Sequence, residues 1–214
     1  MEKFISRNNK FKTKLNNHLQ KLTGQKADFY TALKNEDILE LKAVLSDINN
    51  LLTYKLTLIA GEWIGSYFKL HQTEINHILE EIDANEPNSQ GYDIVYINEF
   101  IKVIAEVKCN IPVKNGSKFG SMQSKHLIED AQKLLNGKRQ ISDTSEYLKF
   151  LFIVKIGERT DNAINKLLQK TTIRVENEER LSRNITREQI MLLKNEEYHE
   201  LEKDKVYIKT LALD

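Results

Sequence analysis

Along the first fifty residues apolar side chains recur at mixed three- and four-residue spacing without alternation, and the pattern predicts helices. "NEDILELKAVLSDINNLL" is the clearest case: Ile38, Leu41, Val44, Leu45, Ile48 and Leu52 form one stripe, with Asn35 as the expected N-cap. "YKLTLIAGEWIGSYFKLHQ" reads as a second helix. Its Gly61 and Gly65 lie four apart on one face, where they are either sites of close backbone approach or simply tolerated glycines.

The pattern then changes. "INHILEEID" reads as a strand or a helix end, with the strand favoured, "ANEPNSQG" as a turn or loop, and "YDIVYI" and "FIKVIAEVKC" as strands joined at Asn98-Glu99. "PVKNGSKFGS" is a loop, and "MQSKHLIEDAQKLLNGK" a helix stopped by Gly137. "EYLKFLFIVKIG" is a buried strand and "TDNAINKLLQKT" a helix. A further helix near 186–202 and a closing strand, "KVYIKTLALD", complete the chain. The order predicts a mixed α/β sheet flanked by helices, its first three strands in a meander. An N-terminal helical region, 1–55, is expected to precede a core over 56–214.

The 214 residues suffice for a full hydrophobic core. A single cysteine, Cys109, excludes an internal disulfide and fits a reducing compartment. The N-terminal "MEKFISRNNKFKTK" is charged and lacks the apolar stretch of a signal peptide. No apolar run is long enough to span a bilayer, so the expectation is a cytoplasmic protein without a membrane partner. The net charge of +1 conceals segregation. Residues 1–34 hold eight Lys/Arg against two acids, 70–106 one lysine against eight acids, and 107–139 seven basic residues against two acids. Basic segments flanking an acidic one leave room for a polyanionic partner.

Within the acidic segment, the strands of "GYDIVYINEFIKVIAEVKCN" carry Asp93, Glu106 and Lys108, which a half-buried sheet tolerates only if they are paired. Glu106 and Lys108 share a face by the two-residue period of a strand. A two-residue turn at Asn98-Glu99 makes paired numbers sum to 197, placing Asp93 opposite Ile104 and diagonal to Glu106 on that face. The opposite face is then wholly apolar: Ile94 and Tyr96 against Ile101, Val103, Ala105 and Val107. Two carboxylates and a backbone carbonyl at one point make a hard oxygen site, suited to Mg²⁺ or Mn²⁺ rather than zinc. A lysine beside such an ion suits phosphodiester hydrolysis.

These residues resemble the PD-(D/E)xK, or restriction-endonuclease-like, nuclease superfamily. Asp93 followed by Glu106-Val107-Lys108 is similar to its metal-binding hairpin, with "GYDI" in place of Pro-Asp, and the resemblance covers roughly residues 56–156. It implies a restriction-endonuclease-like fold, metal binding by Asp93, Glu106 and the Val107 carbonyl, and a Lys108 that assists the attacking water. It also implies an additional helical acid, Glu62 or the competing Glu80, and accessory or DNA-contacting residues Gln123 and Lys125. Glu40-Leu41-Lys42 has the same E-x-K spacing but lies on a helix with no upstream acid on a strand, and is expected to be an exposed helix face.

The five histidines form no metal-ligand spacing with Cys109 or one another, and no phosphate-cradling glycine loop or serine nucleophile elbow occurs. Trp63 and Cys109 are expected to pack in the core. The resemblance thus implies a Mg-dependent endonuclease on double-stranded DNA of the type II restriction kind, working as a homodimer with a methyltransferase as a separate protein. A structure-selective, repair or defence-complex nuclease of the same fold, or a non-catalytic DNA-binding protein, are the alternatives.

Overall fold

Apolar stripes from residue 56 onward become helices that cover the two faces of a sheet, whereas Val44, Leu45 and Ile48 of the earlier stripe are exposed. The structure, a computed structural model, describes residues 2–84, 91–113, 118–169, 189–194 and 197–213. It contains α1 (Glu2–Thr23), α2 (Phe29–Ala32), α3 (Asn35–Tyr67), α4 (Gln72–Ala84), β1 (Ile94–Ile97), β2 (Lys102–Lys108) and α5 (Ser121–Asn136). These are followed by β3 (Leu148–Val154), α6 (Glu158–Gln169), β4 (Ile190–Leu192) and β5 (Val206–Leu211). The chain divides into two units, Met1–Asn49 and Asn50–Asp214, with α3 running through the division.

In the first unit, Asp28 ties α2 to α1: its carboxylate meets Lys12 at 2.6 Å and accepts from Asn16 at 2.8 Å. Phe11 and Tyr30 add an edge-on ring contact. The second unit holds a five-stranded sheet in the order β1-β2-β3-β5-β4. β1 is antiparallel to β2, and the remaining neighbours are parallel. One face carries Ile94, Tyr96, Val103, Ala105, Val107, Phe150 and Phe152 beneath Leu56, Ala60 and Ile64 of α3 and Ile78 and Ile82 of α4. The other carries Ile104, Leu151, Ile153 and Ile208 beneath Leu127 and Leu134 of α5 and Ala163 and Ile164 of α6. A mostly parallel sheet covered on both faces explains why every residue of β3 is buried.

Several expected elements differ. "INHILEEID" is not a strand but the body of α4: Ile75, Ile78, Leu79 and Ile82 follow the helical spacing and pack against α3. The meander is therefore a two-stranded hairpin. The two helices expected on either side of residue 53 are one, α3, and Asn35 lies inside its first turn, with the Lys34 N–H bonded to Asp37 instead. Gly61 and Gly65 are close-approach positions. A Cβ at Gly65 would sit 2.4 Å from Ile75 Cγ1, and one at Gly61 2.9 Å from Ile82 Cδ1. Of the helix expected near 186–202, the part before 189 and residues 195–196 lie outside the described residues. Among the others, Ile190–Leu192 form β4 and Tyr198–Glu200 a 3-10 turn. Trp63 stacks on Tyr67 and meets Phe150 and Phe152 edge-on, as a core residue should.

Buried Lys149 is unusual for a central strand. Its Nζ donates to the carbonyls of Thr144 (2.6 Å), Tyr147 (2.9 Å) and Lys203, so one ammonium ties the loops before β3 and β5 together. Burial lowers its pKa to about 8, which leaves it charged at neutral pH with three carbonyl acceptors.

Candidate functional site

The hairpin does not turn where its sequence suggests. Asn98 Oδ1 accepts from the N–H groups of Phe100 (2.9 Å) and Ile101 (2.8 Å), and the Asn98 N–H bonds the Ile101 carbonyl at 2.9 Å. Asn98 therefore sits before the turn, and Glu99-Phe100 are its two central residues. The side chain makes the local turn bond that Asn commonly supplies. The pairs are Ile94 with Ala105 through Ile97 with Lys102, a sum of 199 rather than 197. A turn displaced by one residue moves the sum by two, so every side chain keeps its face. The apolar face matches the expected set, and continuing the register one residue beyond Ile94 sets Asp93 opposite Glu106 rather than diagonal to it.

β1 stops at Ile94, so the β1-facing edge of β2 beyond Ala105 has no strand partner from it. There the Asp93 carboxylate stands in for the missing strand: Oδ2 accepts the Val107 N–H at 2.7 Å. By strand alternation the Val107 carbonyl lies on the same edge. Burial, then the charge of Glu106, raises the Asp93 pKa, against the opposing pull of Lys108, the Val107 N–H and Lys138.

Glu106 is 3% exposed and lies on the α5 side of the sheet. One oxygen meets Lys108 Nζ at 3.1 Å, and the other meets Lys138 Nζ. Lys108 also reaches Asp130 of α5 at 3.1 Å, and Asp130 meets Lys133 at 2.9 Å. Lys138 completes its shell with the Gly91 carbonyl at 2.6 Å and the face of the Tyr92 ring, 4.6 Å from its centroid. Tyr92 donates its hydroxyl to the Lys133 carbonyl at 2.8 Å, and burial, then Glu106, pushes its pKa up to about 12. Burial is the largest single influence on Lys108 and acts to lower its pKa. Glu106, Asp130 and Asp93 together outweigh it and hold the group well above the ordinary lysine value.

The sequence thus brings Asp93, Glu106, Val107 and Lys108 together, and α5 with its following loop adds Asp130, Lys133 and Lys138. The other expected residues do not join them. Glu62 is exposed on α3, whose buried residues pack on the sheet face opposite Glu106. Glu80 is exposed on α4, on that same opposite layer. Gln123 closes the start of α5, accepting the Gly120 N–H at 2.9 Å and donating to the Ile111 carbonyl at 3.1 Å. Lys125 pairs with Glu129 along the helix surface at 3.5 Å. Glu40 is exposed, as expected for the control triplet. Asp130 was detectable in principle, because it interrupts the apolar stripe Leu127, Ala131, Leu134. Lys138 carried no such mark: only the folded loop after Gly137 turns it toward Glu106.

No protein-family model matches the chain, and no curated protein or solved structure does. Among the described residues no group of three or more His, Cys, Asp or Glu side chains is poised around one point. No described helix is long and apolar enough to cross a membrane.

Proposed function

We propose that the chain is a metal-dependent nuclease of the restriction-endonuclease-like fold, hydrolysing phosphodiester bonds of double-stranded DNA. The observation that carries this reading is the meeting of Asp93, Glu106 and Lys108 at the frayed end of a hairpin. There the Asp93 carboxylate lies on the Val107 N–H. Two carboxylates and a carbonyl edge are hard oxygen donors, and this donor chemistry fits Mg²⁺. Asp93, Glu106 and the Val107 carbonyl would hold the ion, which supplies Lewis acidity and charge neutralisation at the phosphate.

Lys108 carries the rest of the chemistry. Its pKa is raised, so at neutral pH it is a fixed cation that orients water and stabilises developing negative charge, rather than a proton acceptor. Asp130 holds that ammonium in place from α5. The basic stretch 107–139, in the same unit as the acidic segment, supplies phosphate contacts beside it. Sequence-specific cleavage by a homodimer, paired with a separate methyltransferase, is the fuller form of this proposal.

A second reading has one observation in its favour. Both Glu106 oxygens are already met by lysines, as in a static ion-pair network that braces a non-catalytic DNA-binding domain. Supercoiled plasmid incubated with the protein and Mg²⁺ separates the two. Discrete fragments support a restriction enzyme, and preference for branched substrates a structure-selective one. Binding without cleavage of any nucleic acid, in Mg²⁺ or Mn²⁺, supports the static network.

A further inference from the structure

The cluster is balanced in a way that the proposed chemistry does not explain. Asp93, Glu106 and Asp130 face Lys108, Lys133 and Lys138, three acids against three lysines. Of the lysines, Lys133 is about half exposed and pairs with Asp130. Lys108 bridges Glu106 and Asp130. Lys138 differs from both. Its side chain is 15% exposed, and its Nζ lies between a Glu106 oxygen and the Gly91 carbonyl, two residues before Asp93. The ammonium thus occupies one oxygen of a proposed metal ligand, Glu106, and its charge also acts on the other, Asp93.

We infer that Lys138 is a built-in cation at the metal position, so that a divalent ion binds only as the Lys138 ammonium leaves Glu106. The inference rests on the metal-site reading above and adds a residue that the hairpin motif does not contain. Charge supports it. A divalent ion added to a neutral, buried cluster would leave two uncompensated positive charges, which is costly in a site of low polarisability. Releasing Lys138 lowers that excess, and a phosphodiester entering with its negative charge lowers it further. The position of Lys138 favours release. It sits on the loop after α5, behind Gly137, whose φ of +89° suits glycine, and not within the helix. A flexible four-carbon stem lets the freed ammonium reach solvent or a phosphate oxygen without moving the sheet.

Mn²⁺ alone, titrated into the full chain and followed by calorimetry and by the electron paramagnetic resonance of the free ion, tests this without reference to activity. Lys138→Met and Lys138→Gln should each bind Mn²⁺ about tenfold or more tightly than the wild type, the scale of losing one charged hydrogen bond from the competition. Lys138→Arg, which keeps the cation, and Lys203→Met, remote from the site, should bind like the wild type. Lys138→Gln retains a donor for Glu106 and Gly91, so it stands if Lys138→Met fails to fold. By reciprocity, acetylation of Lys138 by an amine-reactive reagent should rise when Mn²⁺ is bound. Unchanged or weaker Mn²⁺ binding in the neutral variants, with the wild type binding normally, overturns the role of Lys138 and leaves the metal site standing. Absence of Mn²⁺ binding in the wild type and every variant overturns the metal site and this role together.

Discussion

The acid at position 93 bears two conflicting demands. Its carboxylate satisfies a backbone N–H that β1 leaves open, yet burial and Glu106 penalise its charge. The folded state therefore holds the Asp93 proton more tightly than the unfolded chain does. Stability contributed by that proton is lost as pH rises through the window from the ordinary carboxylate pKa to the raised one. Asp93→Asn keeps an oxygen for the Val107 N–H and removes the charge. It should melt at higher temperature than the wild type at pH 7, with the gap closing as pH is lowered into the acid range. Thermal melts across that range check it, and a less stable variant at pH 7 contradicts it. At this scale the sequence was informative because a charge in a strand announces itself. Asp93, Glu106 and Lys108 stand out from apolar neighbours, whereas Lys138 looks like any surface lysine until the loop after Gly137 is folded.

At the scale of elements, parity survived where detail did not. The turn sits one residue later than expected because Asn98 bonds its own loop, and the even-numbered shift left every face intact. "INHILEEID" misled because its isoleucines suit a strand as well as a helix, and only the spacing of 75, 78, 79 and 82 against α3 decides. That contact is tight enough to test. Gly65→Ala places a Cβ 2.4 Å from Ile75 and should cost about 1–3 kcal/mol in urea denaturation. An unchanged midpoint would show that α3 and α4 do not approach so closely. Lys149 offers a second test. Lys149→Met leaves the Thr144, Tyr147 and Lys203 carbonyls without their common donor. A loss of about 2–4 kcal/mol is expected, since each buried acceptor costs about 1–3 kcal/mol unless water replaces the lysine. A neutral or stabilising change would mean that the ammonium costs as much to bury as its bonds return.

For the whole molecule, the mixed sheet with helices on both faces was legible in the order of apolar segments, and so was the helical N-terminal region. The sheet order was not: joining β3 to β5, with β4 outside it, depends on pairings between distant segments that no local pattern encodes. The proposed function belongs to this scale, because the proposed cleavage would need the hairpin acids, the α5 anchor of Lys108 and a DNA-binding surface at once. The most direct measurement is the cleavage of supercoiled plasmid by wild type, Asp93→Asn and Lys108→Met, with and without Mg²⁺. The account predicts Mg²⁺-dependent cleavage by the wild type, a loss of roughly 100-fold or more in each folded variant, and no change in a Glu40→Ala control. Cleavage that survives in Asp93→Asn or Lys108→Met, or a wild type that cuts no DNA with either Mg²⁺ or Mn²⁺, would contradict it.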